Sequence, residues 1–319
     1  MRIKGWLITA GVLTVLGAIL LGGSLTVAKW DFTRLSTVRY ETNEHRVEEA
    51  FRHVRVETDT ADVRFLPSAD GETAVQCVEA SKVTHTVTVK DDTLTVKVND
   101  TRRWYEHIGI GFGTPRITVY LPAAAYDSLA VESDTGDIHV SSDFTWESVT
   151  LTGHTGDVTY DAPATGDVSI QTTTGAIEVQ NVTVGRLSLA VSTGRVSVAG
   201  VACREDVTVK VSTGKVTLTD LTCRNLTSEG STGDMFLENV IVGGTLTVER
   251  NTGDVLLTRS NAASLRIATT TGDVKGSLLS DKIFITSTDT GRVEVPKTTD
   301  GGRCEIVTDT GDIRITIVE

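Results

Sequence analysis

A Thr-Gly pair returns through this chain at a fixed interval. It stands in DTGDI from Asp134, HTGDV from His154, STGRV from Ser192, STGKV from Ser212 and STGDM from Ser231, then in NTGDV from Asn251, TTGDV from Thr270, DTGRV from Asp289 and DTGDI from Asp309. With Gly175 added, the glycines are Gly136, Gly156, Gly175, Gly194, Gly214, Gly233, Gly253, Gly272, Gly291 and Gly311, and every step is 19 or 20 residues. A catalytic motif is written once, whereas a motif at constant period marks a stacked repeat whose units bury their apolar side chains only against their neighbours.

Columns through the repeat define its local structure. Seven residues before the glycine stand Leu129, Val149, Val168, Leu187, Val207, Leu226, Leu246, Leu265, Phe284 and Cys304; two after it stand Ile138, Val158, Ile177, Val196, Val216, Met235, Val255, Val274, Val293 and Ile313. Five before and four after are also apolar, except at Ser228, Thr286 and Gly276. Apolar positions two apart, rich in Val and Ile, read as half-buried strands. The inward parity changes across the glycine, so the pairs Thr135-Gly136, Thr155-Gly156, Thr193-Gly194, Thr213-Gly214, Thr232-Gly233, Thr252-Gly253, Thr271-Gly272, Thr290-Gly291 and Thr310-Gly311 are structural corners. Gly166, Gly185, Gly243 and Gly301 lie ten residues further on and predict a second corner, giving two short strands and two turns per coil. The fold class is all-β, a parallel β-solenoid of about ten coils, roughly 48 Å long at about 4.8 Å per coil. Stacked threonine hydroxyls are expected to bond from coil to coil.

An eleventh copy precedes the run. In VRVETDTADVRF, Val54, Val56, Val63 and Phe65 hold the inward phases and Ala61 replaces the glycine. Between it and Leu129, the runs VTHTVTVK and TLTVKV meet at Asp91-Asp92 and predict a β-hairpin insertion that covers the first coils. The amino terminus is different again. Residues 5–28 carry no charge between Lys4 and Lys29, enough for an N-terminal transmembrane helix, although Thr26-Val27-Ala28 also fits a cleaved signal. The resulting organisation is residues 1–28 as anchor, 29–50 as polar stalk, 51–128 as first coil with hairpin insertion and cap, and 129–319 as solenoid.

Chemistry is sparse. Cys203 and Cys223 share one phase of adjacent coils, at the reach of a disulfide or as two stacked thiols, and Cys304 falls in a core column. No Cys-x-x-Cys occurs, and the histidines lack ligand spacing, so no metal or other cofactor is expected. Asp234, Asp254 and Asp273 are the calcium candidates of the column after the glycine, where Arg195, Lys215 and Arg292 interrupt the carboxylates. An enzyme acting on polysaccharides needs converging carboxylates, and no coil departs from the repeat to supply them. The net charge of −12 argues against nucleic acid. Arg102, Arg103, Trp104 and Tyr105, in the interruption of the repeat, are the candidate ligand surface, as exposed aromatics beside cations often anchor partners.

The order of an apolar anchor, TADVRFLPS, ITVYLP and serial STGDV coils resembles the bacterial family of β-strand-repeat putative adhesins, over about Phe51 to Val318. The resemblance implies a β-solenoid displayed on the envelope of a Gram-positive cell, related to domains found in envelope-stress proteins, and it carries no catalytic residue. The functional expectation is a single-pass membrane protein whose extracellular solenoid binds an envelope polymer, a host glycan or a protein. A scaffold of another class would arise if the edge left by the C-terminal strand DIRITIVE paired with a second copy.

Overall fold

The computed structural model describes residues 3–27, 38–104 and 113–318. Helix α1 (Ile3–Val27) is apolar on every side beyond Lys4, and its Gly5–Ser24 stretch packs against none of the described residues. Its Gly5–Ser24 stretch is long and apolar enough to cross a membrane.

The rest is β structure with one continuous core. Strands from successive coils pair in parallel and in register: Leu187 sits on Val207, Val207 on Leu226, Val196 on Val216 and Val216 on Met235. Every corner glycine of the main series has a positive φ, from 130° at Gly233 to 156° at Gly291. Space imposes the same choice independently. A Cβ on Gly156 would collide with the carbonyl oxygen of Gly136, and one on Gly175 with that of Gly156, so the glycines form a column that no side chain can enter.

Each coil has three faces rather than the two read from the sequence. Asn181, Gly200, Asp220, Asn239 and Arg259 adopt left-handed backbone six residues after their glycines. The chain bends there into a third, short face whose inward residues include Val182, Val184, Val201, Cys203, Leu221, Cys223, Val240 and Val242. Asparagine and aspartate tolerate left-handed backbone, so this corner lacks a glycine column. All four cysteines are buried free thiols, with Cys203 and Cys223 in the short-face column.

The first coil is β2 (His53–Thr58) and β3 (Asp62–Pro67), preceded by β1 (Tyr40–Val47). An insertion follows: β4 (Thr73–Ala80), β5 (Val83–Lys90), β6 (Thr93–Asp100) and β7 (Arg116–Leu121). The chain then returns as β8 (Ala125–Thr135) and β9 (Ile138–Val140), which stack on β2 and β3 with Val54 on Leu129 and Val63 on Ile138. On the other side of the first coil lie β6 on β2 and β7 on β3, both parallel, and beyond them β5 and β4, both antiparallel. Asp91 and Asp92, with φ of 49° and 60°, make the tight β5–β6 turn. Strand β1 closes one edge antiparallel to β4, so residues 40–47 belong to the sheet and not to the expected stalk. Its side chains are polar on both faces, as befits an edge strand, and this hides the strand from an apolar count.

The far end departs from chain order. The coil around Gly272 stacks on the coil around Gly311, with Leu265 on Cys304 and Val274 on Ile313. The coil around Gly291 lies outside both, with Phe284 on Cys304 and Val293 on Ile313. The last coil of the sequence is therefore the penultimate one in space, and the open edge belongs to Lys282–Thr290 and Val293–Glu294, with only Ile315–Ile317 of DIRITIVE reaching past that short outer strand. The reason lies in the inward residues. Residues 302–317 bring Cys304, Ile306, Ile313 and Ile315, all buried, whereas residues 282–295 bring Phe284, Thr286 and an exposed Val293. Burying an isoleucine side chain is worth about 1.5–3 kcal/mol, so the coil with threonine in its core column belongs at the exposed end.

Two measurements check this account. Backbone amides of Gly302–Thr310 should exchange with deuterium more slowly than those of Lys282–Thr290, the reverse of what chain order gives. Gly253→Ala should lower stability by more than about 1 kcal/mol in thermal unfolding, since it meets both a positive φ and the Gly233 carbonyl.

Candidate functional site: a longitudinal groove and a buried arginine

The residues after the corner glycines do not form an open carboxylate cluster. The Asp234 carboxylate accepts the backbone N–H of Asp254 at 2.9 Å, Asp254 that of Asp273 at 2.8 Å, and Asp273 that of Asp312 at 2.7 Å. The other oxygen of Asp273 pairs with Lys275 at 2.5 Å. Asp137 and Asp157 repeat the arrangement with Asp157 and Ala176, and Asp312 caps Arg292 in the outermost coil. The three calcium candidates thus each spend one oxygen on closing the next coil. Their carboxylates accept backbone donors at a corner, a role that Arg195, Lys215 and Arg292, whose side chains only donate, do not fill in their coils. The Lys275 hydrogen bond, helped by the Asp312 N–H, holds Asp273 below the usual carboxylate range.

Coil-to-coil hydroxyl bonds do occur, at another position than expected. Thr288 and Thr308, three residues before their glycines, donate to the Gly311 and Gly272 carbonyls at 3.0 and 3.1 Å. The corner threonines contribute their carbonyls instead: Gly233 donates to Thr252 and Gly253 to Thr271, each at 2.9 Å.

Arg102, Arg103 and Trp104 follow β6 at the capped end, where Asp59 of the first coil acts on Arg102. Arg102 is clamped on Asp100 with contacts of 2.6 and 3.0 Å, and Trp104 is 81% exposed. Tyr105 lies outside the described residues. Burial pushes the thiols of Cys77, Cys223 and Cys304 up to about 12, so none is a thiolate nucleophile at neutral pH.

What column reading passed over is a groove of about 570 Å³ along the rod axis. It runs across the coils of Gly214, Gly233, Gly253, Gly272 and Gly311, using in each the residues two to four positions before the glycine. Ser212, Ser231, Asn251 and Thr270 line one flank; Lys210 and Glu229, paired at 3.0 Å, stand on the other. Its floor contains Gly230 and Arg250. Arg250 is 4% exposed, and its guanidinium enters the space left by Gly230, where a Cβ would overlap it. Nη2 donates to Ser228 Oγ at 2.8 Å, while Nε has no partner. Among the described residues no carboxylate lies within ion-pair distance of Arg250, and burial lowers its pKa.

The signal was present as three departures in neighbouring coils. Ser228 breaks an apolar column, and Gly230 and Arg250 stand successively where the other coils carry Val, Ser, Thr or, at Gly153, a second glycine. A missing side chain beside an oversized one is the mark of complementary packing.

The chain matches one family model and is similar to several solved structures. The family model described as Toastrack DUF4097 matches residues 51–204 and again 201–319. A putative adhesin of Parabacteroides distasonis is similar in structure over 88% of this chain and 98% of its own, at 15% identity and a TM-score of 0.48. A putative adhesin of Bacteroides fragilis is similar over 88% and 97%, at 15% identity and a TM-score of 0.36. A putative lipid binding protein of Parabacteroides distasonis is similar over 88% and 98%, at 10% identity and a TM-score of 0.32. These sources lend no support to the expectation of a Gram-positive cell. No curated protein matches the sequence.

Arg250→Met is expected to leave thermal stability unchanged or raised, because it removes a buried charge that has no counter-ion while filling the same space. Gly230→Ala should destabilise, because its Cβ meets both Arg250 and the Val211 carbonyl; denaturant unfolding of the two variants separates these outcomes.

Proposed function

The chain belongs to the Toastrack DUF4097 family, and from that membership we propose a non-catalytic binding module of the cell envelope, tethered by α1 with its solenoid outside the membrane. The observation that carries the binding reading is the groove, in which five successive coils offer the same positions along one track. A linear ligand laid along the rod would meet an equivalent set of groups about every 4.8 Å, a spacing of the order of one pyranose unit. Hydroxyl and amide side chains on one flank, a paired Lys210–Glu229 on the other and the further acceptors Glu249 and Asp309 suit a hydroxyl-rich polymer that carries no acidic groups. An envelope or host glycan is therefore the ligand class.

A non-catalytic role accords with carboxylates engaged in holding coils together. Tethering rests on the isolation of α1, which buries none of its Gly5–Ser24 stretch against the rod. In this reading residues 1–28 anchor the chain, a short segment leads to β1, the first coil with its cap ends at residue 128, and the rod follows.

Protease added to intact cells should remove the rod, as followed by antibody, while lysed cells serve as control. Protection until lysis would overturn the extracellular placement. On an array of linear glycans, charged polymers and proteins, the detergent-solubilised full chain should bind uncharged glycans. Lys210→Ala combined with Asn251→Ala should weaken that binding at least about tenfold, whereas Trp104→Ala should not; a silent array with a folded protein would overturn the glycan reading.

A further inference from the structure

The cap holds a cluster that the rod does not need. Cys77 and Glu79 alternate on the inward face of β4, and His85 points inward from β5. Their exposures are 0%, 3% and 6%, and one ligand atom from each lies within 4.8 Å of the other two. His85 Nδ1 is 2.8 Å from Glu79 Oε2, which also accepts the His85 backbone N–H at 2.7 Å. An outer layer fixes both groups. Asn43 of β1 donates to Glu79 Oε1 at 2.7 Å, and Thr58 Oγ1 of β2 lies 3.2 Å from His85 Nε2. Four strands thus converge on one sulfur, one carboxylate oxygen and one imidazole nitrogen.

We propose that Cys77, Glu79 and His85 form a site for a divalent transition-metal ion of the zinc type, which clips β4 to β5 within the cap. The donor set mixes S, O and N ligands, the combination that zinc and its close relatives accept. Thiolate, carboxylate and a divalent ion sum to zero charge, the condition for burying all three. The thiol gives up its proton on coordination, as coordinating thiols do. Geometry is near that of a filled site. Bonds of about 2.0–2.3 Å at tetrahedral angles put ligand atoms roughly 3.3–3.7 Å apart, so Glu79 and His85, at 2.8 Å, part by less than an ångström while Cys77 closes in from a cluster that spans up to 4.8 Å.

The outer layer has the form metal sites require. The second imidazole nitrogen meets a hydroxyl, and the second carboxylate oxygen meets an amide, each of which orients a ligand. Asn43 and Thr58 lie on β1 and β2, so their hydrogen bonds link the metal-bearing pair of strands to the edge strand and the first coil. A purely structural hydrogen-bond network would leave Cys77 without a part in it. The thiol is the residue that separates the two accounts.

The test uses the full chain in detergent, stripped with chelator and titrated with Co(II), then with Zn(II). One equivalent of Co(II) should give the intense sulfur-to-cobalt charge-transfer band and the visible bands of a four-coordinate ion whose fourth ligand is water, and Zn(II) should displace it and raise the Tm. Cys77→Ser, close in size, should abolish the sulfur band and weaken binding at least about tenfold, and Asn43→Ala, which removes no ligand, should weaken it by about 10–100-fold. Absence of a Tm change with Zn(II) together with a colourless Co(II) titration would overturn the site. So would cobalt binding that lacks the sulfur band or survives Cys77→Ser unchanged, since the ion would then sit elsewhere.

Discussion

Everything in the rod depends on the contact between one corner glycine and the next. The carbonyl of each glycine lies against the α-carbon of its successor, and no side chain fits between them. This fixes the stacking distance and register at one point per coil, from which the strands on either side follow. The carboxylate after the glycine reinforces the contact by accepting the following coil's N–H. The threonine before it adds its carbonyl to the same ladder. A motif that resembles a catalytic triplet is thus a device for joining coils.

Because all the joints are alike, they are interchangeable, and the C-terminal end uses that freedom. Gly311 lies between Gly272 and Gly291 with the same hydrogen bonds that serve elsewhere. When any coil fits any neighbour, order is decided by what each has inside. The isoleucines of 302–317 go to the enclosed place and the threonine-bearing coil to the end. At the other end the first coil cannot be left open either, and the insertion covers it with strands that run first parallel and then antiparallel to it. The two ends are therefore closed by different means, one by borrowed strands and one by rearranged coils.

The candidate site shows where column reading reaches its limit. Ser228 was visible as an exception, yet its meaning depends on Arg250 of the next coil, reaching across Gly230. The groove has no motif, because it is a row of ordinary residues made continuous by stacking. Trp104 and its neighbouring arginines attracted attention as unusual letters, but they lie at the cap, away from the track. The histidines showed no spacing in sequence, and still β4 and β5 bring His85 to Cys77 and Glu79, since a hairpin converts separation along the chain into adjacency.

By itself the sequence determined the solenoid, its period, the inward columns, the first copy before the insertion and the hairpin at Asp91-Asp92. These follow from local rules: strand parity, the backbone freedom of glycine and the demand that apolar columns be covered. Tertiary structure alone decided the third face of the coil, the exchange of the last two coils, the placement of residues 40–47 in the sheet and the partners of the aspartates. Each of those depends on comparing distant segments for the same place. A repeat with equivalent joints leaves that choice open locally, and only the packing of the whole core resolves it.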